Sequence, residues 1–69
     1  MNQSEFDVLC KESEEGFIEL IERLKAADID VEHRGFQPQG YLKLKLTFKT
    51  EVSFNFVREL IGDAAILIN

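Results

Sequence analysis

The chain has 69 residues, of which 45% are hydrophobic and 30% charged, and its net charge is −5. A single domain of this size buries only about 60% of the surface of its unfolded chain, so we expect modest stability. The acidic balance argues against binding to nucleic-acid phosphates, and no apolar run is long enough to cross a membrane.

The chain has one cysteine, Cys10, and one histidine, His33, which excludes an internal disulfide and a spaced set of zinc ligands. We therefore expect no metal or cofactor. Association with a second copy or with a protein partner is the remaining common support for so small a core. Residues 1–5 lack the basic and apolar regions of a secretory signal, so a cytoplasmic location is expected.

Residues 5–10 fit two structures. Phe6, Val8 and Cys10 alternate with Glu5, Asp7 and Leu9, as in a short first strand. The same residues also extend the next helix backwards, so that residues 4–27 would form one long helix interrupted by Gly16. We favour the strand and keep the long helix as the alternative.

Residues 13–27 are predicted to form a helix, because Phe17, Leu20, Ile21 and Leu24 recur at helical spacing. Ser13 is its predicted N-cap. An acidic stripe on the opposite side is a candidate surface for a basic partner, although a solvated helix face is its plainer explanation. Its members are Glu12, Glu15, Glu19 and Glu22.

Residues 41–48 are predicted to form the central strand. Leu42, Leu44, Leu46 and Phe48 alternate with polar residues, so they should share one buried face. A strand at residues 29–36 should precede it, joined by a turn at residues 35–40. Phe36 falls on the polar side of that strand.

The open face of the sheet should carry the polar side chains of the central strand. There we expect Lys43 and Lys45 to lie between Asp7 on one neighbouring strand and Glu32 on the other, as opposite charges that stabilise the sheet. Tyr41 and Phe36 form a candidate exposed aromatic pair beside the turn, suited to anchoring an interface. One tyrosine is too few for a base-stacking nucleic-acid surface.

Residues 52–61 are predicted to form a helix, with Thr50 or Ser53 as cap and Gly62 as its stop. A further strand after a tight turn at residues 49–51 is the alternative. Residues 64–68 close the chain as a short strand. The order is β-α-β-β-α-β, a two-layer α+β sandwich of the ferredoxin-like kind with both helices on one face of an antiparallel sheet. With residues 4–27 as one helix, the order would be α-β-β-α-β.

The run from Gly16 to Glu32 resembles the first helix and second strand of ACT domains: a glycine opens the helix, leucines line it, and Ile29-Asp30-Val31 begins a strand. The resemblance implies a ferredoxin-like regulatory module that binds a small ligand such as an amino acid. The ligand would approach the start of the helix, at Ser13, Glu14, Glu15 and Gly16. The chain departs from the family pattern at Glu15, where a proline is common, and at Asp28, where a glycine is common.

No motif in the chain identifies an enzyme. Cys10 falls on an apolar face, where a thiol is usually inert packing, and His33 shares its face with Ile29 and Val31. We therefore expect a non-enzymatic binding or regulatory module that forms a homodimer or docks on a protein. The alternatives are an ACT-like ligand sensor and an acidic inhibitor that blocks a basic surface.

Overall fold

The computed structural model describes residues 2–13 and 15–68, which form an α+β structure with one four-stranded antiparallel sheet and two helices. The strand order is β2-β3-β1-β4, and a single 3-10 turn, Pro38–Gly40, joins β2 to β3. The elements are β1 Asn2–Cys10, α1 Phe17–Ala26, β2 Asp30–Phe36, β3 Leu42–Ser53, α2 Phe54–Ile61 and β4 Ile66–Leu67.

The first segment is a strand, so the alternative of one long helix over residues 4–27 is wrong. β1 pairs with β3 on one side and with β4 on the other. Phe6, Val8 and Cys10 are at most 1% exposed, while the residues between them are not buried. The period of two decided the structure because it lets this segment bury three side chains while both neighbours satisfy its backbone.

Helix α1 begins at Phe17, four residues after its predicted N-cap Ser13. Gly16 occupies the N-cap position with a φ of 93°, and its carbonyl accepts the Leu20 N–H at 2.9 Å. A left-handed backbone cannot continue a right-handed helix backwards, so Gly16 sets the start. Ser13 lies in the exposed turn before it.

Strand β3 continues beyond its predicted end at Phe48 to Ser53. Its register with β1 shifts between the pairs Gln3–Val52 and Glu5–Thr47, so residues 48–51 bulge opposite Ser4. The segment predicted as a possible turn is therefore part of a long, irregular strand. The predicted second helix is present and starts two residues later than expected, at Phe54.

The core lies between the helices and one face of the sheet. Leu20 and Leu24 of α1, with Val57 and Ile61 of α2, share a buried cluster with the apolar faces of β1 and β3. The rings of Phe6 and Phe48 meet edge to face, with centroids 5.5 Å apart. The prediction that both helices cover the Leu42, Leu44, Leu46 and Phe48 face is confirmed. β4 is shorter than predicted, and Ala64 and Ala65 pack against the core before it.

Replacing Leu44 by aspartate should unfold the domain. Leu44 is 2% exposed in the centre of the core, and burying an unpaired carboxylate there costs several kcal/mol, comparable to the whole stability of about 3–5 kcal/mol expected for this size. Circular dichroism during thermal unfolding measures the effect. Lys45→Glu, on the adjacent open-face position, is the control and should remain folded; a cooperative transition in Leu44→Asp would contradict the assignment.

Replacing Ser53 by alanine should lower the free energy of unfolding by about 1 kcal/mol. The Ser53 hydroxyl accepts the Phe56 N–H at 3.1 Å and caps α2. Ser13→Ala is the matched control and should change stability little, because Gly16 and not Ser13 is the N-cap of α1. Urea unfolding of both variants distinguishes the two serines, and equal losses would contradict the capping assignment.

Candidate functional site

Strand β2 forms one edge of the sheet and, among residues 2–13 and 15–68, pairs with β3 only. It is seven residues long, whereas the opposite edge, β4, has two. An edge strand carries backbone N–H and C=O groups that have no partner in the sheet on their outer side. β2 is therefore the longer of the two places where the sheet is able to accept another strand.

A bulge in β2 changes the side on which Phe36 lies. The register with β3 shifts between His33 and Gly35, so that Arg34 is an extra residue and Phe36 pairs with Leu42. Phe36 consequently lies on the helix side of the sheet, and its predicted place on the polar side is wrong. Gly35 adopts a φ of 112°, a backbone conformation that residues with a side chain rarely adopt, so glycine is favoured at this position. A glycine within a strand pattern is a sequence signal for such a bulge.

An apolar surface adjoins the β2 edge on the helix side. It contains a groove, which we call the β2 groove. Phe36 is 70% exposed, and its ring meets the His33 ring edge on, with centroids 5.9 Å apart. Ile18 of α1 is also 70% exposed. A groove of about 240 Å³ runs between α1 and the sheet, lined by Glu12, Phe17, Ile21, Lys25, Val31, His33, Leu42 and Leu44.

Ile18 was missed by sequence reasoning. It follows Phe17 and does not belong to the apolar stripe that faces the core, and it remains largely exposed on α1. Large apolar residues on a monomer surface are common singly, so one alone carries no meaning. An isoleucine off the buried stripe of an otherwise well-patterned helix was the available signal. Ile18 gains interest because it lies on α1, the helix that lines the β2 groove with Phe17 and Ile21, and the sequence does not reveal this groove.

Tyr41 does not share a surface with Phe36. Its side chain is half-buried, and the Lys11 ammonium lies 4.7 Å from the centre of its ring. Tyr41 directly precedes β3 with an extended backbone, so continuing the alternation by one residue puts it on the open face, whereas the bulge brings Phe36 to the helix side. The predicted aromatic pair is therefore divided between the two faces.

The open face of the sheet is a balanced mosaic of charges. Lys45 is directly opposite Asp7 on β1 and Glu32 on β2, as predicted, whereas Lys43 is opposite Leu9 and Gly35, so its predicted acidic neighbours are wrong. Its ammonium lies 3.2 Å from a Glu5 carboxylate oxygen, and Arg34 donates to Glu32 at 3.1 Å. Exposed pairs of this kind contribute only about 0–1 kcal/mol each. A shallow cleft of about 390 Å³ on this face is lined by Gln3, Glu5, Asp7, Arg34, Lys43 and Lys45.

The four acidic residues of the predicted stripe do not share one helix. Glu19 and Glu22 lie on α1, but Glu12 and Glu15 precede it in the loop. Of the predicted ligand-binding segment, the structure describes Ser13, Glu15 and Gly16, which lie in the same loop before α1. Glu12 and Phe17, which flank this loop, both line the β2 groove. Glu14 lies outside the described residues.

Cys10 is buried, and its Sγ lies 3.8 Å from the Leu42 carbonyl oxygen. His33 is exposed on β2. Within residues 2–13 and 15–68, no three His, Cys, Asp or Glu side chains are grouped so that they could hold a metal ion. Neither helix in this part of the chain has the length and apolar character needed to span a membrane.

Comparison with models of known protein families, with curated proteins and with solved structures found no match to this chain. The β2 edge and the β2 groove together combine an open strand of seven residues with an apolar cleft.

Proposed function

We propose that this chain is a small non-enzymatic binding module that docks on a protein surface through the β2 edge. The observation that carries the proposal is the coincidence of an open strand edge with exposed apolar side chains on both elements beside it. Phe36 contributes from the strand and Ile18 from α1, each 70% exposed. Aromatic side chains next to a groove are frequent anchors of interfaces.

The two kinds of contact on this edge complement each other. Backbone groups of β2 offer hydrogen bonds to an incoming strand, which give affinity with little dependence on sequence. The β2 groove offers apolar pockets between Phe17, Ile21 and Val31, which give specificity. The open face offers mainly polar and charged groups around its cleft and is the weaker candidate.

The fold that underlies the proposal is inferred to be ferredoxin-like. It is supported by the element order β-α-β-β-α-β and by the strand order, which is 4-1-3-2 when counted from the β4 edge. All neighbouring strands are antiparallel. In this arrangement β2 and β4 are the edges, so a partner strand has only these two places to add. We also propose that the module acts in the cytoplasm, as its sequence suggests.

The docking proposal is tested by photo-crosslinking in cells of the native host. Phe36 is replaced by the photo-reactive analogue benzoylphenylalanine, and irradiation should give a specific protein adduct identifiable by mass spectrometry. The same replacement at Phe56 is the control, because this residue is 52% exposed on α2, away from β2. The absence of an adduct at position 36, or identical adducts at both positions, would overturn docking through the β2 edge.

A small-ligand sensor of the ACT-like kind is a second proposal. It is favoured by one observation: the β2 groove, about 240 Å³ in volume, is lined in part by Glu12 and Phe17, which flank the loop where the resemblance places a ligand. A bound ligand stabilises the folded state by about 2.7 kcal/mol at one hundred times its dissociation constant. We expect at least one of the twenty amino acids to raise the unfolding temperature in a thermal-shift screen. No shift with any of them at millimolar concentration would remove this alternative.

A further inference from the structure

We propose that the partner of the β2 edge is a second copy of this chain, joined by antiparallel pairing of the two β2 strands about a two-fold axis. The proposal rests on the docking function above and names its partner. The two four-stranded sheets would become one sheet of eight strands, with all four helices on the same side.

Two-fold symmetry restricts how the strands can pair, because each residue of one copy must oppose a residue that points to the same face in the other. On the open face of β2 lie Asp30, Glu32 and Arg34, and Arg34 contacts Glu32 at 3.1 Å. The charges of this short segment run acid, acid, base. An antiparallel copy reverses the order, so acids and base can meet.

The possible centres of pairing differ in these charges. A centre at Val31 puts Asp30 opposite Glu32 twice, which is repulsive. A centre at Glu32 puts Arg34 opposite Asp30 twice and the two Glu32 side chains opposite each other. A centre at His33 puts Arg34 opposite Glu32 twice. In both registers with attractive pairs, Arg34 of each copy therefore faces an acidic residue of the other.

The helix side of the interface supplies apolar contact. α1 lies beside β2 and lines the β2 groove with Phe17 and Ile21. Pairing of the β2 strands brings the two α1 helices and the two grooves to either side of the axis. Ile18 and Phe36 of both copies, each 70% exposed in the single chain, then lie next to apolar surface of the other copy. The β4 edge, two residues long, offers no comparable ladder.

The test exchanges charges between copies and measures association by sedimentation velocity. The native chain should self-associate reversibly. Arg34→Glu opposes acids to acids in both attractive registers, and the double variant Asp30→Lys/Glu32→Lys opposes bases to Arg34. Each should weaken association by roughly tenfold or more, since cross-strand charge pairs change from attractive to repulsive. Arg58→Glu, on α2, makes the same change in net charge as Arg34→Glu and should associate like the native chain.

Mixing the two defective variants should restore association. The glutamate introduced at position 34 of one chain then faces a lysine introduced at position 30 or 32 of the other, and the unchanged Arg34 faces an acid. Native mass spectrometry resolves the mixed dimer by mass. All substituted side chains are exposed, so circular dichroism should show native-like folding. Arg34→Gln, which removes the charge without reversing it, should give intermediate weakening.

Two results would overturn the second copy as partner. One is a native chain that stays monomeric up to about 1 mM, a concentration at which even weak complexes form. The other is a mixture of two folded variants that does not associate. If the crosslink at position 36 then joins a different protein, docking through the β2 edge stands and only the identity of the partner is wrong. If no crosslink forms there, docking itself fails.

Discussion

The burial of one face of β3 against both helices is the interaction on which the rest of the structure depends. Within the described residues, β3 is the strand that pairs with both β1 and β2, and its leucines form the middle of the core. Leu20 of α1 and Val57 of α2 reach the same cluster from opposite ends of the chain. Since so small a domain has little stability to lose, every surface feature must be compatible with this single layer of packing.

The alternation of apolar and polar residues was sufficient to predict β3 up to Phe48, the placement of both helices on its apolar face, and the charge neighbours of Lys45. These features follow from a period that no local irregularity interrupts. The same reasoning resolved β1 only partly, because a stretch of six residues satisfies both strand and helix periodicity. Pairing with two neighbouring strands, which is a tertiary effect, decided it.

The errors lie where the backbone leaves its regular repeat. A left-handed Gly16 moved the start of α1, and an extra residue at Arg34 reversed the side of Phe36. A larger bulge at residues 48–51 extended β3 up to its following helix. The place of Phe36 on the helix side, near the β2 groove, depends on the second of these, which explains why the candidate site was harder to predict than the core. Alternation predicts the wrong face for every residue that follows a bulge, because the bulge inserts one extra residue into the strand.

The bulge in β2 also decides which face of the sheet carries the Phe36 ring. Arg34 is the extra residue of this bulge. It separates the pairs that Val31 and His33 form with β3 from the pair that Phe36 forms with Leu42. Without the bulge, the same residues would alternate regularly and the aromatic ring would turn toward the charged face, while the core side chains of β3 stayed in place. Loss of Arg34, by contrast, would keep Gly35 opposite Lys43 and Phe36 opposite Leu42, so the ring would stay on the helix side. The backbone conformation at one point of an edge strand thus decides whether the apolar or the charged surface receives the aromatic ring, on an otherwise unaltered scaffold.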